Sequence, residues 1–228
     1  MIDKTMYELT EVKDIKFRTG DIIMHKHNTN ILTYDNVNKK TNFDLSNVFK
    51  YFFQTGFLMN YSPKYYPYIH VSIIVLIDGI PYMYQLSEFS ESEYMYCYNT
   101  YDKDDKLNLP VLLNMDYVNY YRGHIHHFAY TGNHITEYRV KKIIKKNKNV
   151  KTSISTYAKG FINKNYKNKK KHVCVSFISK IIEEMGIHIF KNYYSNTPST
   201  MFNEVILNGD KYEKSPSILN NPYMNYHQ

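Results

Sequence analysis

Two apolar runs joined by Asp78-Gly79 dominate the middle of the chain. In YIHVSIIVLIDGIPYMYQLSEF, residues 68–89, β-branched and aromatic residues flank a dipeptide favoured in two-residue turns. The pattern predicts a β-hairpin in which Ile77 faces Ile80. From that register, His70, Ser72 and Ile74 share one sheet face with Met83, Gln85 and Ser87. His70 and Gln85 then lie diagonally across the strand pair. Upstream, FRTGDIIMHK (residues 17–26) reads as a turn at Gly20-Asp21 followed by a strand. Helical spacing appears at Leu45, Val48, Phe49, Phe52 and Phe53, with Gly56 as the stop. A second helical stripe holds Phe177, Ile178, Ile181, Ile182 and Met185, and Gly186 suits its C-terminal cap. Further strands are expected at 92–98 and 116–122, and further helices at 134–146 and 153–161. Residues 103–105 and 164–171 read as exposed loops.

Composition changes this picture in two ways. The 228 residues are 43% hydrophobic and 16% aromatic, enough for one globular domain with a sizeable core. No apolar run approaches the ~20 residues of a membrane span, and the first residues are too polar and acidic for a secretory signal. The two cysteines, Cys97 and Cys174, lie in unlike contexts, as expected of a reducing, cytoplasmic setting. Residues with AT-rich codons fill the chain, and only three basic residues are arginine, which points to an AT-rich genome. The net charge of +8 is uneven: between Arg139 and His172 there are thirteen Lys or Arg and no acid. The rest of the chain carries 16 bases against 21 acids. Such a basic block suits phosphate, nucleic acid or an anionic membrane surface, and it equally suits a solvated lysine-rich surface. No repeat and no linker is evident, so residues 1–228 read as one domain. Its 203–228 tail is expected to be partly disordered.

Cys174 is the candidate for covalent chemistry. It stands at the start of the second apolar helix, where backbone N–H groups and the helix dipole favour a thiolate. A nucleophilic thiol also needs a base. His172 is near in sequence but poorly placed in so short a segment. His70 opens a rigid strand, with Gln85 across the pair to hold its second ring nitrogen. A buried structural cysteine and a satisfied strand-end histidine are the plainer alternatives.

The run GDII at Gly20, the pattern IHVSIIV…DG…YMYQL, the helix VCVSFISKIIEEMGI and the later TPSTMF resemble, in that order, the circularly permuted NlpC-type papain-like fold. The likeness is to its YiiX-like branch, with members in poxviruses and other large DNA viruses, and covers residues 19–202. It implies an α+β fold with a central antiparallel sheet and the nucleophile helix packed against it. It also implies a cysteine hydrolase or acyltransferase acting on an amide or ester bond of a peptide or lipid. By this resemblance Cys174 is the nucleophile, His70 the base and Gln85 the third polar residue, with no cofactor and no metal. A viral protein would sit in host cytoplasm or virion. The third position is often Glu or His in relatives. An amide can orient an imidazole but stabilises an imidazolium less than a carboxylate does.

Other readings stay beside this one. An inactive papain-fold module would keep the pocket for binding. Lysines interleaved with Tyr157, Phe161 and Tyr166 suit a basic nucleic-acid-binding protein. His124, His126, His127 and His134 form a cluster that raises the question of zinc, without an HExxH spacing.

Overall fold

In the computed structural model the described residues are 9–10, 12–27, 32–35, 40–43, 68–86, 109–120, 123–152, 171–188, 198–202, 209–214 and 217–219. The expected helix at 43–56 apart from Phe43, the strand at 92–98 with Cys97, the helix at 153–161, the loop at 103–105 and the loop at 164–171 apart from Lys171 lie outside them. The strands are β1 (Leu9–Thr10), β2 (Ile22–His27), β3 (Leu32–Asp35), β4 (Lys40–Phe43), β5 (Tyr68–Ile77) and β6 (Ile80–Leu86). After these come β7 (Pro110–Asn114), β8 (Gly123–Phe128), β9 (Lys151–Thr152), β10 (Lys171–His172) and β11 (Ser217–Leu219). The helices are α1 (Tyr117–Tyr120), α2 (Glu137–Asn147), α3 (Cys174–Glu184) and α4 (Pro198–Met201).

The architecture is α+β. Six strands in the order β11-β8-β2-β5-β6-β7 run antiparallel to their neighbours, and β1 joins the β11 edge in parallel. Both long helices cover one face of this sheet. There Val140 and Ile143 of α2, and Phe177, Ile178, Ile181 and Ile182 of α3, pack with Ile22, Met24, Val71, Ile73, Val75, Tyr84 and Phe128. Each such apolar side chain taken from water contributes about 1.5–3 kcal/mol. The opposite face holds Ile23, Ile74, Met83, Leu113 and Ile125, covered by Phe17, Tyr117 and Val118. Since strands alternate their side chains, β2, β5, β6, β7 and β8 each serve two cores at once.

The β5–β6 hairpin has the register its sequence predicts, from Ile77↔Ile80 to Ile73↔Tyr84. Asp78 (φ 51) and Gly79 (φ 77) both take positive φ, the backbone of the tight turn whose twist matches that of the strands. The Gly20-Asp21 turn does more than reverse the chain. Gly20 sits at φ 104, and a Cβ there would lie 3.0 Å from the Tyr130 ring. Asp21 is fully buried and accepts 2.8 Å hydrogen bonds from the Arg18 N–H, the Tyr130 N–H and His127 Nε2. That carboxylate ties the start of β2 to the end of β8. Each of its bonds comes from a donor, which offsets the cost of burying so polar a group.

One expectation is corrected. Residues 117–120 form the short helix α1, and strands flank it at β7 and β8. The reason is local: the Asn114 side chain accepts from the Asp116 N–H at 3.1 Å and ends β7, while Met115 O accepts from the Val118 N–H. Pro110 is tolerated because it begins an edge strand. Part of the polar tail is also built into the sheet. Ser217, Ile218 and Leu219 pair with His127, His126 and Ile125.

Candidate functional site

α3 begins at Cys174. Val173, with φ −107 and ψ 170, is the extended N-cap residue. Its side chain cannot accept a hydrogen bond, so Ser176 serves instead: its Oγ accepts from the Val173 N–H at 3.0 Å and donates to the Val173 carbonyl. His172, fully buried, meets the same hydroxyl through Nδ1 at 3.3 Å. These contacts fix the first turn and therefore the position of the Cys174 sulfur. The helix ends where expected. Gly186 (φ 87) donates to Glu183 O, and the Ile187 N–H donates to Ile182 O, the paired bonds of a glycine cap.

Cys174 packs against the helix-side core and meets β5 at Val71. On β5 the Ile74 N–H donates to Asp21 O and the Leu76 N–H to Thr19 Oγ1, both on the β2 side. By alternation the Val71 N–H points towards β6. The β5–β6 pairing begins only at Ile73↔Tyr84, while Gln85 and Leu86 go on pairing with β7. The backbone ladder between these strands therefore ends next to Val71, and the thiol meets the Val71 N–H beside that parting. Burial pushes the thiol up from 9.0 to about 11; the N–H groups of Val175, Val71 and Cys174 itself pull the other way. Desolvation outweighs the helix terminus here, and the resting thiol is protonated at neutral pH.

His70 follows the strand's other parity. It pairs with His25 of β2, and the two rings meet edge-on with centroids 5.1 Å apart. This places the half-buried His70 ring on the sheet face away from α3, one residue along the chain from the Val71 amide that touches the sulfur. Gln85 shares that face. Its Oε1 accepts from Ser72 Oγ, and Ser72 Oγ in turn lies 2.9 Å from His25 Nε2. Gln85 therefore reaches an imidazole through Ser72, and that imidazole is His25. Burial, with the neighbouring His70 as the smaller cause, holds His25 well below its ordinary 6.5.

His25 is the residue that sequence reading missed. The signal was present: His25 lies on β2 two residues after Ile23, and the alternation that places His70 and Ser72 on one face does the same for Ile23 and His25. What was lacking was the pairing of β2 with β5, a long-range contact no local pattern gives.

His126 and His127 of RGHIHHF do not converge. His126 Nδ1 lies 2.8 Å from the Tyr68 hydroxyl on the helix side, whereas His127 binds Asp21 on the other face. His134 is exposed before α2. Among the described residues no group of three or more His, Cys, Asp or Glu could hold a metal ion. No helix among them is long and apolar enough to cross a membrane. The chain matches no protein-family model, and its sequence matches no curated protein.

Proposed function

We propose that the protein is a cysteine hydrolase or acyltransferase of the permuted papain-like type, acting on an amide or ester bond of a peptide or lipid. The observation that supports it is the seat of Cys174: first residue of a helix, its sulfur beside the Val71 N–H, one residue from His70. Two amides, those of Cys174 and Val71, border the place where a carbonyl oxygen would gather charge. In this reading the sulfur attacks the carbonyl carbon and its proton passes to His70. The C–O or C–N bond to the leaving group then breaks as His70 returns the proton to that group. Water or an acceptor hydroxyl next cleaves the thioester. Because the resting thiol is protonated, deprotonation belongs to the substrate-bound state, as general-base catalysis rather than a standing ion pair. For that transfer the His70 ring has to turn from its place beside His25 towards the gap where β5 and β6 part.

A second reading has its own support. A thiol held near 11, with His70 turned to the other face, suits an inactive module that binds through the same cleft. An activity-based thiol probe separates the two. The enzyme reading expects Cys174 to label faster than Cys97, and Cys174→Ala to lower hydrolysis of acyl test substrates by about a thousandfold or more. Equal labelling of the two cysteines with hydrolysis unchanged in Cys174→Ala would leave the binding module.

A further inference from the structure

Among the described residues, the outer face of α2 is a strongly charged surface that the Cys174 site does not use. Val140, Ile143 and Asn147 are the buried residues of this helix. At 3.6 residues per turn, Tyr138, Lys142, Lys145 and Asn149 fall in line on the opposite side, flanked by Lys141 and Lys148. All six are exposed, as is Lys151 beyond the helix, and there is no acid from residue 138 to residue 151. Some of the charge is committed: Lys141 binds Glu137 and Asp78, Lys146 binds Glu184, and Arg139 Nε donates to the Glu184 carbonyl. Lys142, Lys145, Lys148 and Lys151 have no ion pair among the described residues.

Beside this row lie the two exposed large hydrophobic residues of the described chain, Tyr138 at 79% and Ile80 at 53%. The Lys141 ammonium brings them near one another. It lies 3.2 Å from Asp78 at the hairpin tip and 2.5 Å from Glu137 in the first turn of α2. It pairs with both acids of that corner and offsets one of their two charges. The seven β5 steps from Val71 to Asp78 put this corner about 23 Å from the thiol.

We propose that this surface docks the protein on an anionic phospholipid bilayer. Lys142, Lys145, Lys148 and Lys151 lie over the headgroups, while Tyr138 and Ile80 enter the interface. Tyrosine suits the headgroup level, where one end of the ring is wet and the other apolar. Ile80 decides between lipid and nucleic acid: an aliphatic side chain gains from acyl chains and offers no ring for a base to stack on. The cations agree, being lysines that act as point charges, with the guanidinium of Arg139 occupied by the end of α3.

The test is co-sedimentation of the full chain with vesicles, with the thiol intact or blocked, since no turnover is needed. The surface expects binding to phosphatidylcholine vesicles containing about one-third phosphatidylserine, and little to pure phosphatidylcholine, with about fivefold lost per lysine neutralised. The combined variant Lys142→Gln, Lys145→Gln, Lys148→Gln is expected to lose on the order of a hundredfold. Tyr138→Ser with Ile80→Ser is expected to lose about tenfold at a salt concentration that leaves the lysines partly screened. Equal binding to neutral vesicles would overturn the proposal. So would undiminished binding of the lysine variant with an unchanged circular dichroism spectrum. Tighter binding to a single-stranded oligonucleotide at the same salt, indifferent to Ile80→Ser, would replace the membrane by nucleic acid.

Discussion

Cys174 shows how position and environment can oppose one another in a single side chain. Its place at the head of α3 favours the thiolate, yet the thiol sits near 11 because the surrounding core strips it of water. A group raised from 9.0 to about 11 contributes its full stabilisation below pH 9.0 and loses it as pH rises through 11. In a Cys97→Ser background, alkylation by iodoacetamide should therefore be slow at neutral pH and reach half its limiting rate near pH 11. A profile that levels off below about pH 8 would mean a thiolate already activated at rest. His25 runs the opposite way. The folded chain holds it neutral, well below 6.5, so its contribution is whole above pH 6.5 and shrinks as the unfolded chain takes up a proton below it. Urea midpoints should fall between neutral pH and about pH 5, and His25→Gln should flatten that fall.

Elements were legible in sequence where the periodicity was strong and the boundary chemistry explicit. The β5–β6 hairpin announced itself through Asp78-Gly79, and α3 through its apolar stripe and Gly186. The segment around Asp116 did not, since Tyr117, Val118 and Tyr120 suit a strand by type. A side chain two residues earlier, Asn114, turns the backbone instead. β7 was missed because Pro110 at its head reads as a breaker unless the strand is known to lie at an edge. The candidate site was half legible. Cys174 at a helix start, and His70, Ser72 and Gln85 on one face, follow from local pattern. That α3 would pack against the Val71 parity, and that His25 would join Gln85 through Ser72, depends on which strands and faces meet. The cap of α3 is directly testable. Gly186 holds φ 87, and an added Cβ would come within 3.0 Å of the Arg139 guanidinium. Gly186→Ala should cost about 1–2 kcal/mol in chemical denaturation, chiefly from the left-handed backbone.

At the scale of the whole molecule, one sheet separates two chemistries. Both long helices and the thiol lie on one side; the relay of His25, Ser72 and Gln85, with His70 beside it, lies on the other. The strands joining these sides part beside Val71, which makes that gap the place where the two could communicate. A basic helix and a hairpin tip stand at the far end of β5. The edge of the sheet carries a different consequence. β11 lies between β1 and β8, so residues near opposite ends of the chain are hydrogen-bonded to one another. During synthesis β8 emerges from the ribosome some ninety residues before β11, and until then the amides and carbonyls on its edge away from β2 stand open to any passing strand. The nascent protein therefore has an interval of vulnerability to mispairing that closes only when Leu219 has left the exit tunnel.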